Sequence, residues 1–200
     1  YSKGEISVER YYSIPKNDLQ ISISEAKEEF THLLKKAVQK QLIADVEVGS
    51  FLSGGLDSST IVAMVNEFKP KQTTISFGYS GEDSELKFAE EIAQKYHTNH
   101  IEIHENRGNI ATELLKISPF FDEPFADMSY VPQYKICEGA ARHLKVVLAG
   151  DVGDELFGGY RFYQVENQLK NHFSYNNAVV KFGLKRLGKF RETSFLTKEN

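Results

Sequence analysis

Ser53-Gly54-Gly55-Leu56-Asp57-Ser58-Ser59 stands between an apolar run (Val48, Phe51, Leu52) and an amphipathic one (Ile61, Val62, Met64, Val65, Phe68). That order reads as strand, glycine turn, helix. Two adjacent glycines let the backbone turn sharply and leave no Cβ in the way of a ligand. The helix that follows directs its free N–H groups and the positive end of its dipole into the turn, a ready site for phosphate. Three serine hydroxyls can add hydrogen bonds, and Asp57 can hold a cation between protein and phosphate. No lysine follows the glycines, so the stretch is not the G-x-x-x-x-G-K-[ST] loop of a kinase-type site. Nor does it give the dinucleotide fingerprint G-x-G-x-x-G or the nucleophile elbow G-x-S-x-G. The plain alternative is a capped helix after a glycine turn that binds nothing.

Outward from this turn the pattern alternates. Val46 to Leu52 reads as strand, Ser58 to Phe68 as helix and Thr73 to Phe77 as strand. Ser84 to Tyr96 reads as helix, His100 to His104 as strand, Asn109 to Ser118 and Val131 to His143 as helices, and Val146 to Ala149 as strand. Upstream, Ser24 is a possible cap for a helix with Glu25 and Glu28 in its first turn and apolar positions at Phe30, Leu33, Leu34, Ala37 and Val38. Strands alternating with helices imply an α/β fold, a doubly wound parallel sheet covered on both faces. Ligands of such folds bind beyond the carboxyl ends of the strands. His100, Glu102 and His104 alternate with Ile101 and Ile103, which suits an edge strand with a wet face better than a zinc site.

The 200 residues are enough for one domain with a real core, and 40% hydrophobic with 26% charged residues is ordinary globular composition. A net charge of −4 gives no electrostatic case for nucleic acid or an anionic membrane. No apolar run approaches the length of a membrane helix, and no signal peptide opens the chain. A single cysteine, Cys137, excludes an internal disulfide and fits a reducing cytoplasm. It falls within a helical stretch, where a packed thiol is expected rather than a nucleophile. The chain opens on Tyr1, which suggests a piece of a longer protein.

A second dense signal is Leu148-Ala149-Gly150-Asp151-Val152-Gly153-Asp154-Glu155-Leu156-Phe157-Gly158-Gly159-Tyr160. It follows a buried strand and crowds carboxylates among glycines. Acids this close repel unless a cation or donor offsets them. Magnesium typically takes one or two carboxylates plus phosphate oxygens, and Asp57 with Asp154 is the expected pair. Standing alone, the segment would read as a solvated acidic turn.

The glycine turn resembles the S-G-G-x-D-S loop of ATP pyrophosphatases, which split ATP into AMP and pyrophosphate. Taken with A-G-D-V-G-D-E-L-F-G-G-Y, with Phe121-Asp122-Glu123-Pro124-Phe125-Ala126-Asp127, and with Arg10-Tyr11-Tyr12-Ser13-Ile14-Pro15, it resembles the synthetase domain of glutamine-dependent asparagine synthetases. The likeness covers nearly the whole chain. It implies a PP-loop, adenine nucleotide α-hydrolase-like fold over residues 24–200, incomplete at its C-terminal end, with residues 1–23 a connector from a glutaminase domain. By the same resemblance, Ser53, Gly54, Gly55, Asp57, Ser58 and Ser59 bind pyrophosphate, and Leu52, Tyr79, Ala149 and Gly150 lie at AMP. Tyr79 replaces a residue usually aliphatic there, and Ala149 replaces a serine. Asp151 supports formation of a β-aspartyl-AMP intermediate, Asp57 and Asp154 hold Mg²⁺, and Glu123, Asp127 and Ser129 shape the aspartate pocket. The implied substrates are ATP, aspartate and ammonia released from glutamine, and the full-length protein is expected to be a cytoplasmic homodimer. A family lysine is expected beyond Asn200. Two other readings stay open: a related amide-forming synthetase with another acceptor, such as a β-lactam synthetase or sugar amidotransferase, and a non-catalytic nucleotide-binding domain.

Overall fold

The computed structural model describes residues 4–14, 19–81, 84–106, 108–123, 127 and 129–172. Pro15, Pro124 to Ala126 and residues 173–200, all within segments read above, lie outside the described residues. The chain divides into two compact units, Tyr1–Ile43 and Ala44–Asn200.

The first unit contains α1 (Ile23–Gln41). Its cap is Ser22, which corrects the expected Ser24. Ser22 Oγ accepts from the Glu25 N–H at 3.2 Å, and Glu25 Oε2 accepts from the Ser22 N–H at 2.8 Å. This reciprocal capping box needs Glu or Gln three residues after the cap, and Lys27 stands there for Ser24. The backbone hydrogen bond to Ser22, first, holds the Glu25 carboxyl below its usual pKa.

The second unit runs β1 (Val48–Phe51), α2 (Leu56–Phe68), β2 (Thr73–Tyr79), α3 (Ser84–Tyr96), β3 (Asn99–Glu105), α4 (Ile110–Ile117), α5 (Tyr130–Ala140), β4 (Val146–Leu148), α6 (Gly153–Phe157) and α7 (Arg161–His172). The four strands form a parallel sheet in the order β3-β2-β1-β4. The chain thus winds outward from β1 to the β3 edge, then returns through α4 and α5 to pair β4 with the other side of β1. Direction reverses at β1, and the crevice beyond the carboxyl ends of β1 and β4 is the natural ligand position of such a sheet.

Alternation along the strands assigns the two faces. Leu52 packs with Val62 of α2 and Ala89 and Ala93 of α3. Ile75 packs with Ala140 and Leu144, joined by Phe51, Ile101, Ile103 and Val147. Helices therefore cover both faces of the sheet. Ile75 is fully buried at the centre of β2. Ile75→Ala is expected to cost about 3 kcal/mol of unfolding free energy, measured by chemical denaturation, because the closely packed strand cannot collapse around the lost methyl groups.

Buried polar groups tie the sheet to the turn. Ser50 Oγ donates to Gln72 Oε1 at 2.7 Å, and Gln72 Nε2 donates to the Val62 carbonyl at 2.8 Å. The Leu52 N–H donates to the Ile75 carbonyl at 2.9 Å, and Ser76 Oγ donates to the Leu52 carbonyl. Leu52 is held from both sides, so the glycine turn begins at a fixed point.

At the edge strand the expected wet face is uneven. The His104 side chain is 50% exposed, but that of His100 is only 12% exposed. His100 Nδ1 lies 2.9 Å from Thr74 Oγ1, and burial, first, holds its pKa below the ordinary histidine value. Among the described residues no helix is long and apolar enough to cross a membrane.

Candidate functional site

The glycine turn is a self-bonded loop. Gly54 adopts φ +78°, a left-handed conformation open to glycine, and an added Cβ there would stand 2.7 Å from the Ala89 backbone nitrogen. Gly55 caps α2 from an extended conformation with no side-chain hydrogen bond. The helix starts at Leu56, two residues earlier than expected, so Asp57 lies in its first turn. Ser58 is buried; its Oγ accepts from the Ser53 N–H at 3.2 Å and lies 3.0 Å from Ser53 Oγ. The Gly55 N–H donates to Ser53 Oγ at 3.3 Å. With no side chain over the first turn, the leading N–H groups of α2 are left to a ligand.

The acidic loop comes directly against this turn. A Cβ on Gly150 would stand 2.8 Å from the Ser58 backbone nitrogen and 2.9 Å from the Asp57 carbonyl carbon. A Cβ on Gly153 would stand 2.5 Å from Asp57 Cγ. Gly150 lets the β4 loop approach the α2 backbone, Gly153 makes room for the Asp57 carboxylate, and Asp154 follows Gly153 into α6. Val152, between the two glycines, takes φ +73°, a strained conformation for a β-branched residue. Past α6, the Tyr160 hydroxyl donates to Glu155 Oε1 at 2.5 Å, and that bond, first, pushes the phenol pKa up to about 12.

A cavity of about 390 Å³ opens where the loops meet. Of the residues singled out in the sequence, Leu52, Ser53, Asp57, Ser58, Ser129, Ala149, Gly150 and Asp151 line it. Gly54, Gly55, Ser59, Tyr79, Glu123, Asp127 and Asp154 are not among its lining residues. Ser59 Oγ is buried and finds no hydrogen-bond partner among the described residues. Tyr79, at the end of β2, packs edge-on against Phe77, with ring centroids 5.2 Å apart. Glu123 is exposed, and Asp127 reaches the cavity only through Ser129.

The other wall went unread in the sequence. Phe51 and Phe77 contribute from the sheet, and Pro132, Gln133 and Ile136 from α5. Strand alternation puts Phe77 on the same face as Ile75, and Ser129, Pro132, Gln133 and Ile136 recur at helical spacing. Those two signals existed, but neither shows which helix covers which strand. Lys135 anchors α5, with Nζ 3.3 Å from Glu113 of α4 and 3.6 Å from Glu105 at the end of β3. Cys137 is exposed, not packed as expected. Desolvation, first, and then the nearby Asp151 charge push its thiol pKa up, which opposes thiolate formation.

Asp57 and Asp154 suit a divalent cation in part. Asp57 is half-buried against Gly153, so its carboxylate is directed by packing. Among the described residues no three histidine, cysteine or carboxylate side chains cluster as a closed metal site. Of the pair only Asp57 lines the cavity, while the Asp154 carboxylate lies against Gly159, so the structure brings one expected acid to the phosphate-accepting turn. Mg²⁺ can take a single carboxylate with phosphate oxygens and water.

A parallel sheet with a glycine loop and an acidic loop at one switch point defines an α/β domain of the doubly wound type with a ligand crevice at the carboxyl ends of its strands. Residues 29–198 match the asparagine synthase family, and the chain belongs to that family. It is 35% identical over 168 residues to asparagine synthetase (glutamine-hydrolyzing) 1 of Bacillus subtilis, covering 84% of this chain and 27% of that protein. It is 30% identical over 156 residues to asparagine synthetase B (glutamine-hydrolyzing) of Escherichia coli, covering 68% and 28%. The chain thus spans less than a third of the length of these relatives. The solved NH3-dependent NAD synthetase of Campylobacter jejuni, in complex with the nitrate ion, shares 13% identity at a TM-score of 0.46, over 83% of this chain and 85% of that one.

Proposed function

We propose that this chain is the ATP-using domain of a synthetase that converts aspartate to asparagine through β-aspartyl-AMP, with ammonia supplied by glutamine hydrolysis elsewhere in the complete protein. The observation that carries the reading is the contact of Gly150 and Gly153 with Asp57 and Ser58, which joins a phosphate turn to an acidic loop in a member of the asparagine synthase family.

A carboxylate resists direct amidation because its oxygen is a poor leaving group. An oxygen of the aspartate side-chain carboxylate attacks the α-phosphorus of ATP, the bond to the β-phosphate breaks, and pyrophosphate leaves. Ammonia then attacks the activated carbonyl, and AMP departs with the oxygen. Ser53, Gly54, Gly55, Ser58 and Ser59 belong to the turn that receives pyrophosphate, where the α2 N-terminus offsets its charge. Leu52, Tyr79, Ala149 and Gly150 border the AMP moiety, and Phe77 gives that side an aromatic wall. Asp151 stands at the reacting carboxylate. Asp57 and Asp154 would hold Mg²⁺, which supplies charge neutralisation at the phosphates. Glu123, Asp127 and Ser129 form the acceptor side. Residues 1–23 link this domain to the glutaminase, and the complete protein is a cytoplasmic homodimer.

The complete protein is expected to catalyse ATP–pyrophosphate exchange that depends on aspartate. A panel of carboxylic acids in the same assay separates aspartate from other acceptors. Calorimetry with a non-hydrolysable ATP analogue should show binding that strengthens with Mg²⁺. Exchange with another acid alone would replace the acceptor, and metal-independent binding without exchange would indicate a nucleotide sensor.

A further inference from the structure

A second cavity, of about 730 Å³, is formed by the last turns of α3, the link to β3 and the first half of β3, and it shares no lining residue with the first. Its polar lining is Glu90, Gln94, His97, Thr98, His100 and Glu102. His100 Nε2 is buried and finds no hydrogen-bond partner among the described residues. The other ring nitrogen, Nδ1, lies 2.9 Å from Thr74 Oγ1, which lies 2.8 Å from Thr98 Oγ1. A ring proton on Nδ1 donated to Thr74, with the Thr74 hydroxyl donating onward to Thr98, satisfies this chain and leaves Nε2 a bare lone pair. Burial, first, holds the ring pKa below the ordinary histidine value against the Glu102 and Glu90 charges, so the ring is neutral at neutral pH.

The groups around Nε2 are acceptors as well. Glu102 Oε2 lies 3.1 Å from His104 Nε2, and Glu102 Oε1 lies 3.8 Å from His100 Nε2, too far for a direct hydrogen bond. Gln94 Nε2 donates to Glu90 Oε1 at 3.1 Å, which leaves the Gln94 amide oxygen as an acceptor. Among the described lining residues there is no lysine or arginine. Lys95, in the last turn of α3, sits 5.5 Å over the Tyr96 ring instead. The negative end of the α3 dipole adds to the two carboxylates. An orphaned buried acceptor beside carboxylates, with no cation of its own, favours a cationic donor. Among the described residues no three side chains cluster as a metal site, so the set suits the diverging N–H bonds of an ammonium group better than the shell of a metal ion.

We propose that this cavity binds the primary ammonium group of a small aliphatic amine. One N–H donates to His100 Nε2 and a second to Glu102 Oε1. Glu90 supplies a further negative charge, which favours a diamine over a monoamine. The site is separate from the cavity beside β1 and β4, and it stands whether or not that cavity activates a carboxylate.

The test is calorimetry of the complete protein with 1,4-diaminobutane and with 1,4-butanediol, which keeps the length and loses the charge. The diamine should bind about a hundredfold more tightly than the diol. Glu102→Gln and His100→Ala should each weaken the diamine about tenfold. His100→Gln should lose less, since its amide can return an acceptor to the place of Nε2. Glu28→Gln removes an equal charge from α1, outside the cavity, and should leave binding unchanged. Denaturation midpoints report on folding, and Glu102→Gln, at an exposed position, decides the matter if His100→Ala unfolds the protein. No diamine binding, or equal binding of the diol, overturns the proposal. So does a loss in Glu28→Gln as large as that in Glu102→Gln, which would mean general attraction to a negative protein. Displacement of the diamine by one equivalent of Zn²⁺ would make this a metal site and overturn it too.

Discussion

Gly150→Ala is expected to slow aspartate-dependent ATP–pyrophosphate exchange by about a hundredfold or more and to lower unfolding free energy by about 2 kcal/mol. The new Cβ would sit 2.8 Å from the Ser58 nitrogen and 2.9 Å from the Asp57 carbonyl carbon. Both obstacles are backbone in the first turn of α2, so no side chain can swing aside. One loop must move, either the β4 loop off the helix or the helix start away from the sheet. A shift of about 1 Å in a positioning element is enough to cost about a hundredfold in rate. The cost in stability is that of overpacking a tight contact. Gly153→Ala meets a different obstacle, the Asp57 carboxylate, which can rotate. It should therefore perturb exchange with a smaller change in stability. Exchange rates and denaturation midpoints check both. Wild-type exchange by Gly150→Ala at an unchanged midpoint would falsify the claim that the two loops act as one site.

Asp57→Asn should remove about a hundredfold or more of the exchange rate with little loss of stability. The amide has nearly the shape of the carboxylate, so contact with Gly153 is kept while the charge is lost. At the start of α2 that charge is worth about 0.5 kcal/mol to the helix. Its larger role is to share a cation with the phosphates, a contribution of several kcal/mol to the transition state. Calorimetry with the ATP analogue is the sharper readout, because Mg²⁺ should no longer strengthen binding. Unchanged Mg²⁺ dependence in Asp57→Asn would move the metal role to other acids.

Much of the fold was legible because its signals are local. Gly54-Gly55 between an apolar run and an amphipathic one is a strand–turn–helix within a few residues, and the later alternation repeats that grammar. Boundaries slipped where capping was decided by detail. Gly55 begins α2 without a side-chain cap, so the helix gained Leu56 and Asp57. Ser22 caps α1 because Glu25 can answer it, a spacing present in the sequence and passed over in favour of Ser24. Cys137 lies on a helix whose apolar residues are too few to show which side is covered, and it proved exposed.

The sequence by itself determined the order of elements, the two loops rich in glycine and acid, and a glycine turn that carries an aspartate and no lysine. These follow from backbone freedom, periodicity and charge, which act over a few neighbours. Only the tertiary structure decided that Gly150 rests on Asp57 and Ser58, because that contact depends on β4 returning beside β1 rather than beyond β3. It also decided that Phe51, Phe77 and the first turns of α5 close the cavity, and that Asp127 stands behind Ser129 instead of in the pocket. Side-chain direction at such places is set by packing between segments far apart in the chain, and no local pattern carries that information.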